Sequence, residues 1–228
     1  MKKVVVISLG GSLIIPDKID IKFLKEFKKV IKKNSKKYKF VIVCGGGNIA
    51  RKYISALKTE KINEEYQSFS GISATRMNAR FMSYFFNQDP KKGIPIKMLE
   101  VKKYLKKQDI VFCGALEYHP DQTSDSTSAE IAESLKTIFI NLTNVSGLYD
   151  KNPKQFKSAK LIPRISWKEF YKTSKKIKFK PGQHFILDKT AAKIILENKI
   201  PTYILGKDLR QLGNFLKGKK FIGTRIEG

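Results

Sequence analysis

The chain has 228 residues, 41% of them hydrophobic and 11% aromatic, enough to bury a full core and too apolar for a disordered segment. Basic residues outnumber acidic ones by 46 to 20, a formal net charge of +26, which excludes a polyanion mimic and favours anionic ligands. Only six of the basic residues are arginines (51, 76, 80, 164, 210 and 225), leaving 40 lysines; dedicated nucleic-acid surfaces favour arginine's bidentate fork, so the bias argues against nucleic acid as the main partner.

In chain order, Val4–Leu9 is a continuous apolar run that predicts a buried strand ending at Gly10-Gly11-Ser12. Asp20 caps an expected helix to about Asn34, with Ile21, Leu24, Phe27, Val30 and Ile31 on one face. Phe40–Cys44 predicts a second buried strand, stopping at Gly45-Gly46-Gly47, and helices follow over about 48–57 and 66–86. Strands are expected at 94–98 and 109–113 with a short helix between them, then a polar loop from Glu117 to Asp125 and a helix over about 126–135. Thr137–Leu142 reads as a strand, 147–165 as a hairpin or irregular excursion with two prolines, and 166–173 as a helix. A helix from Asp188 to Asn198, a strand at 201–205 and a last strand within Phe221–Ile226 complete the series. This alternation implies a three-layer α/β/α sandwich, one domain built on a mostly parallel central sheet.

Cys44 and Cys113 each close an apolar run, as small buried residues do in a reducing compartment. There is no CxxC, and the two histidines, His119 and His184, do not supply a structural zinc site. No stretch has the length of a membrane span, and the opening apolar run is shorter than a signal core. The expectation is a cytoplasmic protein without membrane contact.

Three loops follow the carboxyl ends of expected strands: Gly10-Gly11-Ser12, Gly45-Gly46-Gly47 and Gly114 to Asp125. Ligands bind at that edge of open α/β sheets, and glycine lets backbone N–H groups approach phosphate oxygens. Two glycine loops on neighbouring strands, with Arg51 one turn into the following helix, point to a phosphorylated ligand. The run Gly45-x-Gly47-x-x-Ala50 also matches a dinucleotide fingerprint, but no strand with a terminal acidic residue follows about twenty positions on. The P-loop pattern G-x-x-x-x-G-K-[ST] is absent. Arg76 and Arg80 share a helix face and read as a packing or subunit contact. Asp125 divides evenly between helix capping and ligand binding, and Asp188 is placed to cap the next helix.

The series LGGS at 9–12, VCGGGNIARKYI at 43–54, GISATRMNA at 71–79, HPDQTSD at 119–125, LTNVSGLYDKNPK at 142–154, ILDKTAAKII at 186–195 and GTRIE at 223–227 resembles the amino acid kinase superfamily. Within it the series is most similar to the archaeal-type uridylate kinases. The resemblance implies transfer of the γ-phosphoryl of ATP to UMP, with magnesium, by a chain usually assembled as a hexamer. Such chemistry needs positioning and charge neutralisation more than a covalent nucleophile.

Carried over by position, the resemblance implies that Gly11 and Ser12 face the ATP phosphates, with Gly47 and Arg51 on the ATP side. Gly46 would sit at the UMP phosphate, and Tyr118, His119, Pro120, Asp121, Gln122, Thr123 and Ser124 would wrap the UMP. Thr143, Asn144, Tyr149 and Asn152 would hold the ATP base and ribose. Asp188 resembles the acidic residue that organises the reacting phosphates, with Lys193 or Lys189 the nearest helix-borne cation; Asp188, Lys193 and Arg51 are thus the catalytic candidates. Ser8 stands where many members have lysine, Ser68 where an acidic residue holds the UMP ribose, and Asn152 where they have aspartate. The segment from Gly114 to His119 is longer than the family pattern by about three residues. The same fold with another small acceptor, a nucleotide-sensing pseudokinase and a basic RNA-associated protein are the alternatives.

Overall fold

A computed structural model describes residues 2–119, 122–176 and 187–228. Its centre is a seven-stranded sheet in the order β3-β2-β1-β4-β6-β7-β5, with β1 Lys3–Leu9, β2 Tyr38–Cys44, β3 Ile110–Cys113, β4 Ile138–Leu142, β5 Arg164–Ile165, β6 Thr202–Leu205 and β7 Thr224–Ile226. The first five strands in that order are parallel, β7 runs antiparallel to β6, and β5 pairs parallel with β7. Helices among the described residues are α1 Gly11–Ile14, α2 Ile21–Asn34, α3 Gly47–Thr59, α4 Glu64–Phe85, α5 Met98–Lys107, α6 Ser124–Ser134, α7 Trp167–Lys176, α8 Lys189–Glu197 and α9 Leu209–Leu216.

Alternate residues of each strand feed opposite cores, which is why the central strands read as unbroken apolar runs. Ile7, Leu9, Phe40, Ile42 and Phe112 pack with Leu24 and Phe27 of α2, Met82 of α4 and Leu212 of α9. Val6, Val41, Val43 and Val111 face Val101 of α5, Ile131 of α6, Phe170 of α7 and Ile195 of α8. Helices therefore cover both faces, giving the expected sandwich. Asp20 caps α2 by accepting from the Phe23 N–H at 3.0 Å, and the lysines of its last turn suit its negative end.

Two elements differ from expectation. Residues 94–98 form no strand: Pro95 lacks a donor, and the Glu100 carboxylate takes the Ile96 and Lys97 N–H groups at 2.7 and 3.2 Å to start α5. The helix α9 was not expected, although Asp208 caps it through the Arg210 N–H at 3.1 Å and Leu209, Leu212 and Leu216 share its buried face. The excursion after β4 is irregular apart from an antiparallel bridge between Tyr149 and Leu161.

Candidate active site

The strand order places β1 between β2 and β4, so the chain builds outward on both sides of β1, the topology in which ligands bind at the carboxyl edge of open α/β sheets. Gly10 continues the ladder by donating to the Leu142 carbonyl at 3.0 Å, and Gly45 does so to Leu9 at 2.9 Å. Beyond those bonds the two glycine loops cross. A Cβ on Gly11 would lie 2.0 Å from the Gly47 nitrogen, and one on Gly45 would lie 2.5 Å from the Gly11 nitrogen. Gly47 also takes a φ of +64°, the left-handed region. Only glycines permit this backbone-on-backbone contact, which brings the amino ends of α1 and α3 together. Arg51 projects one turn into α3, exposed and without a hydrogen-bond or ion-pair partner among the described residues.

Beneath the crossing lies a buried polar node. Ser8 of β1 and Asn141 of β4 are partners in register, 1% and 3% exposed. Their side chains both donate to Oδ1 of Asp125, in the first turn of α6, at 2.7 and 3.1 Å. Asp188 caps α8, accepting from the Ala191 N–H at 2.7 Å. It also accepts from Ser126 Oγ at 2.7 Å and Thr123 Oγ1 at 2.5 Å, pinning α8 to the start of α6. Burial, and then the charge of Asp188, push the Asp125 carboxyl up to about 7 against the two hydrogen bonds that favour its ionised form. Asp125 keeps some exposure as a residue, but its carboxylate is enclosed by protein.

Asp125 is therefore not the helix cap; Thr123 is, accepting from the Asp125 N–H at 3.0 Å. Asn141 was not anticipated at all. Its signal, like that of Ser8, is a polar residue at a buried position in an otherwise apolar strand.

The other expected residues lie around the same edge with differing local roles. Thr143 and Asn144 leave β4, the Thr143 N–H bonding to Leu205 at 3.0 Å. Tyr149 belongs to the bridge with Leu161, and Asn152 is exposed, its Oδ1 closing a turn on the Lys154 N–H at 3.0 Å. Tyr118 packs its ring on Phe69 of α4 with centroids 4.9 Å apart, and His119 is exposed. Gln122 donates to Glu130 at 2.5 Å, while Ser12 and Ser124 occupy the first turns of α1 and α6. Pro120, Asp121 and His184 lie outside the described residues. Ser68 donates to the Glu64 carbonyl of its own helix at 2.9 Å. Lys193 does not join the node: it lies on the exposed face of α8, 3.7 Å from Glu197 one turn further along the helix. Among the described residues no three His, Cys, Asp or Glu side chains are grouped as a metal cage.

The arrangement offers crossed glycine loops with a cation at their edge, suited to holding phosphorylated groups close together, above a carboxylate pair that ties α6 and α8 to the sheet edge. The sequence profile described as "Amino acid kinase family" matches residues 3–206. The chain is 34% identical to a uridylate kinase of Thermococcus sibiricus, over 98% of this chain and 99% of that one. It is 35% identical to a uridylate kinase of Thermoplasma volcanium, over 100% and 99%. The crystal structure of uridylate kinase from Archaeoglobus fulgidus superposes with a TM-score of 0.84 at 32% identity, covering 99% of this chain and 100% of that one. The chain belongs to the amino acid kinase family.

Proposed function

We propose that the protein is a UMP kinase, transferring the γ-phosphoryl of ATP to UMP to give ADP and UDP. The observation that carries this reading is the contact between the Gly10–Gly11 and Gly45–Gly47 loops, which brings the two loops read here as phosphate cradles within a few ångströms at the carboxyl edge of the sheet. The names of the full-length relatives supply the acceptor. They favour neither a pseudokinase nor an RNA-associated protein.

In this reading one domain comprises an acceptor lobe over about residues 1–135 and an ATP lobe over about 136–228. Gly11, Ser12, Gly47 and Arg51 receive the ATP phosphates, and Thr143, Asn144, Tyr149 and Asn152 its base and ribose. Gly46 takes the UMP phosphate, with residues 118–124 around the nucleoside and Ser68 at its rim. An oxygen of the UMP phosphate attacks the γ-phosphorus as the bond to the β-phosphate oxygen breaks, and ADP leaves with that electron pair. Loop N–H groups and the Arg51 guanidinium counter the charge of the transferring group. The node of Ser8, Asp125, Asn141 and Asp188 holds the amino ends of α6 and α8 to the sheet edge.

In this reading magnesium enters with the donor as the MgATP substrate; among the described residues no three His, Cys, Asp or Glu side chains are grouped to hold a metal ion. The reading includes pyrimidine nucleotide synthesis in the cytoplasm; among the described residues no helix is long and apolar enough to cross a membrane. It also includes a homohexamer, for which α4 offers a face: Ile62 to Pro90 holds no lysine, and Tyr66, Phe69 and Met77 are exposed. Light scattering reads that assembly directly.

The test is ADP release with MgATP and UMP, CMP, dUMP, AMP or isopentenyl phosphate in parallel. Turnover with UMP, accompanied at most by weak turnover with dUMP, is expected. Turnover with a different acceptor, or with none, overturns the proposal.

A further inference from the structure

The segment after β3 leaves the sheet with its backbone buried yet in no regular structure: Gly114 to Leu116 have no ladder partner, and Ala115 and Leu116 are 8% and 5% exposed. Buried backbone groups need partners, and here α4 supplies them from its side. Thr75 Oγ1 accepts from the Ala115 N–H at 2.9 Å. The Arg76 guanidinium forks over two carbonyls, donating from Nε to Ala115 at 3.1 Å and from Nη2 to Leu116. Gly114 lets the two chains close, since a Cβ there would lie 2.5 Å from both Thr75 Oγ1 and the Arg76 nitrogen. Nearly two turns earlier on the same helix Phe69 packs its ring against Tyr118, and just beyond Arg76 Asn78 donates to the Gly45 carbonyl at 2.7 Å. A single helix thus grips both the second glycine loop and the root of the loop that runs toward Thr123.

We infer that Arg76, with Thr75, is a positioning residue for acceptor binding: its fork fixes the root of the 114–119 loop and so sets where Tyr118 and His119 meet the acceptor. The inference rests on the proposed UMP site for its kinetic consequence and on geometry alone for the brace. Arginine suits the task because one rigid planar group reaches two adjacent carbonyls; lysine reaches one. The brace acts on one substrate only, because the Gly10–Gly11 loop and the residues after β4 receive no hydrogen bond from Arg76.

The experiment compares Arg76→Met and Arg76→Lys with Arg80→Met, which removes the same charge from the same helix but whose guanidinium, among the described residues, hydrogen-bonds only the exposed Tyr84 hydroxyl at 3.4 Å. Hydrogen exchange and steady-state kinetics are measured on each intact protein. Arg76→Met is expected to speed exchange at 115–118 at least tenfold with β1 and β2 unchanged. It should raise KM for UMP about tenfold, leaving KM for ATP within twofold. Arg76→Lys should fall between, and Arg80→Met should match the wild type. Unchanged exchange at 115–118 overturns the brace, whatever the kinetics. Faster exchange with equal changes in both KM values, or in neither, overturns the acceptor role. A wild type that does not turn over UMP refutes the proposed function instead, and exchange then decides the brace by itself.

Discussion

Replacing Asp125 with asparagine separates the cost of its buried charge from the rest of the fold. The Asp125 carboxyl is raised from an ordinary 3.8 to about 7, just over three pH units. At about 1.36 kcal/mol per unit this corresponds to about 4 kcal/mol; relaxation of the surrounding groups brings our expectation to about 2–4 kcal/mol. Between pH 4 and 7 the folded chain holds a proton that the unfolded chain has released, so the wild type loses stability as pH rises through that window. Asparagine keeps an oxygen for Ser8 and Asn141 and places an amide donor beside Asp188, with no charge at any pH. Urea denaturation of both proteins, free of nucleotide and magnesium, at steps from pH 4 to 8 reads the difference, in which titrating groups away from the Asp125–Asp188 pair cancel. Asp125→Asn should match the wild type near pH 4 and exceed it by about 2–4 kcal/mol at pH 8. Its kcat should fall at least tenfold, as expected where a strained charge serves function. A stability difference that is flat with pH, or that grows in the wild type's favour, refutes the reasoning.

Two further substitutions probe the crossing. Gly11→Ala puts a methyl 2.0 Å from the Gly47 nitrogen; the backbones must part by roughly 1 Å, a displacement that costs about a hundredfold in rate. We expect kcat/KM to drop by that factor for both nucleotides and the melting temperature to fall by several degrees, and near-normal kinetics would show that the loops are not the cradle. Arg51→Ala should raise KM for ATP several-fold with an unchanged melting temperature, because the side chain is exposed and has no partner among the described residues; a large loss of stability would instead make Arg51 structural.

What the sequence made legible was local. Predominantly apolar runs gave β1, β2 and β4, the Asp20 cap and apolar spacing gave α2, and glycine pairs at strand ends marked the loops. The polar node was hidden because its members are far apart: Ser8 and Asp125 are separated by 117 positions, and only the register of β1 with β4 makes Ser8 and Asn141 neighbours. Motif position suggested Lys193 as a cation, yet the face it occupies is set by the burial of Ala191, Ala192 and Ile195 against the sheet. The segment 94–98 is apolar enough for a strand, but Pro95 and the Glu100 cap direct its backbone elsewhere. In α9 the leucine spacing is present, but the helix is too short for its period to stand out from the sequence.

The crossed glycines also bear on how the chain finds its fold. Parallel strands as apolar as β1 and β2 would lose little by pairing one or two residues out of step. The backbone contact of Gly11 with Gly45 and Gly47 forms only when Leu9 stands opposite Cys44, since any shift would set a side chain against a backbone that has no room for it. Two of these glycines, Gly11 and Gly47, would also receive the ATP phosphates, so part of the cradle doubles as an alignment mark for the first two strands, and a variant tuned for a larger ligand by enlarging them would first meet a failure of assembly.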